Sequence, residues 1–229
     1  MFGKAIIPNT LTMLNLVMGC AALLAHNIQD AFFFVLIAAF ADLLDGLVAR
    51  AIGAASEMGK QLDSLADVVS FGVVPSFWLY RLLQPELKIW AALAFLLAVA
   101  AAFRLARFNL DTSKSTGFKG LPVPANGLFW LSVLSLTETE PLSNGILIGL
   151  ILFFALLMAS TLPLLSFKFS NFSWKENAIK FILIGSIVLS AVGAHFILKK
   201  VLWTVPIALL LYLILSGVQH LFEKKHEKV

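Results

Sequence analysis

Charge is what this 229-residue chain has least of. Asp, Glu, Lys and Arg together make up 13% of it, about half the share of a soluble domain. Hydrophobic residues supply 60%, and the mean hydropathy is +0.93. A soluble globular protein is thereby excluded. Cysteine is nearly absent: Cys20 stands alone, so no internal disulfide and no cysteine-cluster metal site can form. His26, His195, His220 and His226 are scattered without ligand spacing and suggest no site. No hydrophilic stretch is long enough for a soluble domain, and there is no internal repeat or low-complexity tract. The chain reads as one membrane domain over 1–229.

What is present is a series of apolar stretches of about 20 residues, broken by short polar clusters, which predicts an all-α polytopic membrane protein. Eight spans are expected, at about 9–26, 30–52, 63–83, 88–106, 122–136, 143–166, 177–197 and 201–222. The first resembles a signal peptide, but another apolar segment begins just past Asn27, so it reads as a membrane helix with Pro8 at its entrance. Asn9, Thr10, Thr12 and Asn15 form a polar stripe on it, either as glue between helices or as the wall of a polar site. Trp90, Trp174 and Trp203 fall near span ends, as interfacial anchors do. With the N-terminus inside, 13 of the 17 Lys and Arg residues fall on the inner side. That bias orients the chain with the ends of the second and third spans that meet at 52–62 in the cytoplasm.

Against this apolar background, four aspartates stand out in DLLDGLVARAIGAASEMGKQLDSLAD, residues 42–67. A carboxylate in hydrocarbon is costly and marks a functional site by default. Asp42 and Asp45 share one helix face, and Asp63 and Asp67 share another. The link 52–62 is short and polar, so the two helices return antiparallel and all four acids come level near one membrane surface. Arg50 and Lys60 are too few to neutralise them. Hard divalent cations, which take oxygen ligands and serve phosphoryl chemistry in pairs, are the natural complement. Carboxylates alone suit Mg²⁺ and Mn²⁺ equally.

The stretch reads D-x2-D-G-x2-A-R-x8-G-x3-D-x3-D without a mismatch, through Asp42, Asp45, Gly46, Ala49, Arg50, Gly59, Asp63 and Asp67. This pattern resembles the signature of the CDP-alcohol phosphotransferase family, integral membrane enzymes that move a phosphatidyl or related group from a CDP-linked donor to an alcohol. Pro8–Leu16, Phe103–Asn109 and Phe118–Pro124 look like its phosphatidylserine synthase branch. The resemblance covers about the first 125 residues. After Pro124 the branch calls for small residues, and Asn126 and Gly127 following Ala125 are a departure.

The resemblance implies two divalent metal ions, Mg²⁺ or Mn²⁺, on Asp42, Asp45, Asp63 and Asp67, with Asp67 also the general base. It implies CDP-diacylglycerol against Gly46, Arg50, Ser56 and Gly59, L-serine as acceptor, and a homodimer among membrane lipids in the inner membrane. No nucleic-acid partner is expected. Arg50 reads alternatively as a snorkelling interfacial arginine, and Ser56 as a plain loop serine. Arg104 and Arg107, at i and i+3, offer forks for a serine carboxylate or a phosphate, or else act as positive-inside anchors. Two rival readings stay open: glycerol 3-phosphate or an inositol phosphate as acceptor, and a cation transporter built on the same acids.

Overall fold

The computed structural model describes residues 2–111, 118–164 and 201–226. The expected span 177–197, with Trp174 and His195, lies outside them. Helix α1 is Phe2–Leu24 and α2 is Ile28–Ala51. They form an antiparallel hairpin whose turn is set by Asn27, which caps α2 by accepting the Asp30 N–H at 2.8 Å. Ser56 caps α3 (Glu57–Asp67) in the same way, accepting the Gly59 N–H at 3.0 Å. The chain then runs through a π-helical segment, Val68–Val73, into α4, Val74–Leu87.

The π segment has a local cause. Pro75 has no N–H to offer the Phe71 carbonyl four residues back, and Gly72 relaxes the backbone within the turn. The Val74 N–H accordingly bonds to the Val69 carbonyl, five residues back. Single π turns of this kind recur beside functional sites, and this one follows Asp67 directly.

The helix reverses at Lys88, a non-glycine residue with φ 52°, and returns through a 3₁₀ segment, Lys88–Phe95, and α5, Leu96–Leu110. Paired positions give the antiparallel register: Tyr80 against Phe95, Ser76 Oγ on the Ala98 N–H, and Ser64 Oγ under the Asn109 amide. A strand residue pair, β1 (Phe118–Lys119), precedes α6, Val123–Thr137, and α7, Asn144–Ala159. Then β2, Pro163–Leu164, pairs back onto β1, and α8, Thr204–His226, closes the described chain.

Among the described residues, three helical stretches are long and apolar enough to cross a membrane, Lys4–Leu24, Ile28–Ala51 and Glu57–Leu110, the last doubled back at Lys88. Leu24, Phe40, Val99 and Leu156 are exposed, while Thr12, Asn15, Asp45, Asp67, Arg104 and Asn126 are buried. Apolar outside and polar inside is the distribution a bilayer demands.

Several boundaries differ from expectation. Helix α1 begins before residue 9 and contains Pro8 rather than starting after it. The third helix begins at Glu57, not 63, because the Ser56 cap starts it inside the polar link. Helix α7 ends at Ala159, well short of 166, where Ser160 turns extended and Pro163 enters β2.

Helix α6 seats on the π segment through Gly127, where an added Cβ would come within 2.8 Å of the Phe71 Cα. Gly127→Ala should therefore lower thermal stability in detergent by about 1–3 kcal/mol, as overpacking does. Gly149 on α7 has nothing within 4 Å of such a Cβ, so Gly149→Ala serves as the tolerated control. Equal melting temperatures for the two variants would show that the α6 contact is misplaced.

Candidate active site

Two helix ends and the stripe on α1 build the site. Helix α1 runs antiparallel to α2 and parallel to α3, so Thr12 meets Asp45 while Asn15 meets Asp67. The Thr12 hydroxyl donates to Asp45 Oδ2 at 2.5 Å, and Asn15 Nδ2 donates to Asp67 Oδ1 at 3.1 Å. The Ser70 hydroxyl, one turn past Asp67, donates to the Asn15 carbonyl at 3.0 Å and ties the π segment to α1. Asn9, Thr12 and Asn15 of the stripe thus wall the acidic site, while Thr10 is exposed and donates to the Ile6 carbonyl of its own helix. Thr12 and Asn15 belong to the site although the motif alone did not single them out. The signal was their place on one face of a helix that had no other reason to be polar.

Carboxylate oxygens of Asp42, Asp63 and Asp67 lie within 4.8 Å of one another. Ionised carboxylates at that separation repel by roughly 3–4 kcal/mol per pair at the effective dielectric of about 20 that suits protein sites. Asp63 Oδ1 is buried with no hydrogen-bond partner. A hard divalent cation would relieve both the repulsion and the orphaned oxygen, so the donor set fits one. Asp45 stands beside this trio, its Oδ2 already engaged by Thr12.

A cleft of about 210 Å³ opens next to the acids, lined by Asp45, Gly46, Arg50, Ser56, Gly59 and Asp63 among others. Five of the expected donor-binding and metal-binding positions therefore share a wall with Arg50. Gly46 leaves room for that arginine: its missing Cβ would lie 3.4 Å from the Arg50 guanidinium one turn on. Gly59 permits a close approach, since a Cβ there would come within 3.2 Å of Asn9 Oδ1 and of Ser56 Oγ.

The two arginines of α5 part company. Arg104 is buried with its Nε unpaired, within electrostatic range of Asp67 and of Tyr212 on α8. Arg107 is engaged elsewhere: its two terminal nitrogens donate to the Ala159 and Ser160 carbonyls at 2.7 and 2.6 Å, closing the C-terminus of α7. The Phe118–Pro124 stretch reaches the same place. Gly120, at φ +71°, sits where a Cβ would come within 2.8 Å of the Met158 and Ser160 carbonyls. This stretch works as a clasp on α7.

Fold and site together define a helical membrane protein with a carboxylate cluster fitted to hard divalent cations. The chain belongs to the CDP-alcohol phosphatidyltransferase family, which residues 5–162 match, a family that depends on divalent metal in general. It is similar to the CDP-diacylglycerol–serine O-phosphatidyltransferase of Bacillus subtilis, 39% identical over 137 residues, which are 57% of this chain and 76% of the relative. The enzyme of the same name from Methanocaldococcus jannaschii is 38% identical over 148 residues, 64% of this chain and 70% of that one. That of Helicobacter pylori is 32% identical over 171 residues, 70% and 72% of the two chains.

Arg107→Ala should leave two helix-end carbonyls without their donors and cost about 1–3 kcal/mol of stability. Thermal melting in detergent reads this directly. An unchanged melting point would mean that the guanidinium does not hold α7.

Proposed function

We propose that this chain is a metal-dependent phosphatidyltransferase that moves the phosphatidyl group of CDP-diacylglycerol to the hydroxyl of L-serine, giving phosphatidylserine and CMP. The observation that carries it is the carboxylate trio, Asp42, Asp63 and Asp67, inside the stretch that matches the family. The names of the relatives supply the donor and the acceptor.

Two divalent cations, Mg²⁺ or Mn²⁺, would be held by Asp42, Asp45, Asp63 and Asp67. They would offset the charge of the pyrophosphate and polarise the phosphorus under attack. Asp67 accepts the proton of the serine hydroxyl as its oxygen attacks the phosphorus attached to diacylglycerol, and the bond to CMP breaks. Asn15 occupies one Asp67 oxygen and orients the other toward the acceptor, which a general base requires. Thr12 turns Asp45 toward the cleft. Arg50 meets a donor phosphate there, and Gly46 and Gly59 leave the pyrophosphate and ribose room against the helix backbones. Ser56 keeps its hydroxyl proton for the nucleotide while its oxygen caps α3. Arg104 is the buried cation left for the serine carboxylate. Arg107 supports that site from a distance by fixing α7.

The chain forms a single membrane domain of eight spans in the inner membrane, works as a homodimer among membrane lipids, and opens its active site to the cytoplasm. The placing of 13 of the 17 Lys and Arg residues on the side of the α2–α3 link supports that orientation.

Purified in detergent, the protein should release CMP from CDP-diacylglycerol when L-serine is added, stop in EDTA, and resume with Mg²⁺ or Mn²⁺. Asp67→Asn should lower kcat by roughly 10² to 10⁴ while the KM for CDP-diacylglycerol changes little. Full activity in chelator would end the metal reading, and CMP release only with a phosphorylated alcohol would replace the acceptor.

Orientation is tested separately. In a Cys20→Ser background, a cysteine at Glu57 should react with an impermeant maleimide only from the cytoplasmic side, and one at Thr139 only from the other. Reversed labelling would put the site away from its nucleotide product.

A further inference from the structure

Asn109, near the C-terminal end of α5, grips α3 at three places. Its amide nitrogen donates to Ser64 Oγ at 3.0 Å and to Gln61 Oε1 at 3.3 Å. Its carbonyl accepts Lys60 Nζ at 3.1 Å. Ser64 gives its one hydroxyl proton to the Lys60 carbonyl at 3.1 Å, so its oxygen meets Asn109 as an acceptor. Lys60, Gln61 and Ser64 bracket Asp63 in the chain.

Asp63 is the acid with the weakest support of its own. Thr12 holds Asp45 and Asn15 holds Asp67, whereas Asp63 Oδ1 is buried without a partner. Asp42 lies in the middle of α2, but Asp63 stands within two turns of the start of α3, where a helix frays unless something ties it. Lys60 adds a second difficulty. Three residues before Asp63 on the same face, its ammonium could reach the carboxylate and take the place of a metal. It rests instead on the Asn109 carbonyl, one of the acceptors that a helix end leaves over, and 5.7 Å from the centre of the Phe108 ring.

We infer that Asn109 is a positioning residue for the metal centre. It holds the first turns of α3 so that Asp63 faces Asp42 and Asp67, and it keeps Lys60 off that carboxylate. This rests on the metal-dependent reaction proposed above and adds to it a residue that touches neither metal nor substrate.

Thermal unfolding of the full chain in detergent, titrated with Mn²⁺ alone, reads the metal without turnover. In Asn109→Leu, close in volume but without the amide, the Mn²⁺ concentration giving half of the stabilisation should rise about 10-fold, the lower end of what losing an outer partner of a metal ligand costs. The Mn²⁺ needed for half-maximal transfer should rise equally, while the KM for serine at saturating Mn²⁺ stays as in wild type. Ser64→Ala should act in the same way, and the double variant should resemble the single ones, because all three lose one bond. Ser64→Thr, which keeps the hydroxyl, should regain most of the response. Should Asn109→Leu not fold, Ser64→Ala carries the comparison. A melting point lowered equally with and without Mn²⁺, at unchanged half-saturation, would make Asn109 a plain helix tie and overturn the inference. So would a raised KM for serine with the Mn²⁺ response intact, or losses that add in the double variant. A wild-type protein that Mn²⁺ neither stabilises nor activates would remove the metal reading as well.

Discussion

Everything in this protein answers to the cost of holding carboxylates in an apolar body. Asp45 and Asp67 are buried, and a third and fourth acid stand on the same two helices within one or two turns. Nothing in the local sequence neutralises them. The fold meets the cost in two ways. It spends the polar face of α1 on them, Thr12 to Asp45 and Asn15 to Asp67, and those bonds fix which oxygens point away from the protein. It leaves Asp63 Oδ1 without a partner. A site completed within the protein alone would have no affinity for a cation. The residual repulsion would favour a hard divalent cation there.

Much of this was legible in the chain because it is local. The i, i+3 and i, i+4 spacings put each pair of acids on one face, and a short link forces the second and third helices to return side by side. The level of the four aspartates followed from those two facts. Helix α6 and the first turn of α7 lie close to where hydropathy puts them. What escaped was set by contacts distant in sequence. Arg107 reads like Arg104 in the chain, yet the C-terminal end of α7, about 50 residues on, claims its guanidinium. The clasp at Gly120 is equally invisible until α7 is beside it. The π segment had a local trace in Gly72 and Pro75, but proline beside glycine is as common at an ordinary kink.

The two arginines show how one helix sends two like side chains to different surroundings. Three residues along α5 carry a side chain about 60° round the axis and 4.5 Å along it. Arg107 clears the helix bundle and reaches free carbonyls at the end of α7. Arg104 points among α5's neighbours and finds fewer partners. Swapping their roles would require α7 to end a turn deeper, where its carbonyls would compete for Arg104. The extended Ser160 and the Pro163 strand residue that stop α7 early therefore help keep Arg104 available.

Several buried polar atoms have no hydrogen-bond partner. Among the described residues these are Asp63 Oδ1, Asn15 Oδ1, Arg104 Nε, Asn109 Oδ1, both ends of the Asn126 amide, Trp130 Nε1 and Thr204 Oγ1. Water cannot be the general remedy in a membrane interior, where each unpaired group is costly. Two of them adjoin Asp67: Asn15 Oδ1, whose amide nitrogen bonds that carboxylate, and Asp63 Oδ1, in the same trio of acids. Both are oxygens, the ligand type a hard divalent cation takes, and the general base proposed at Asp67 would receive its proton beside them.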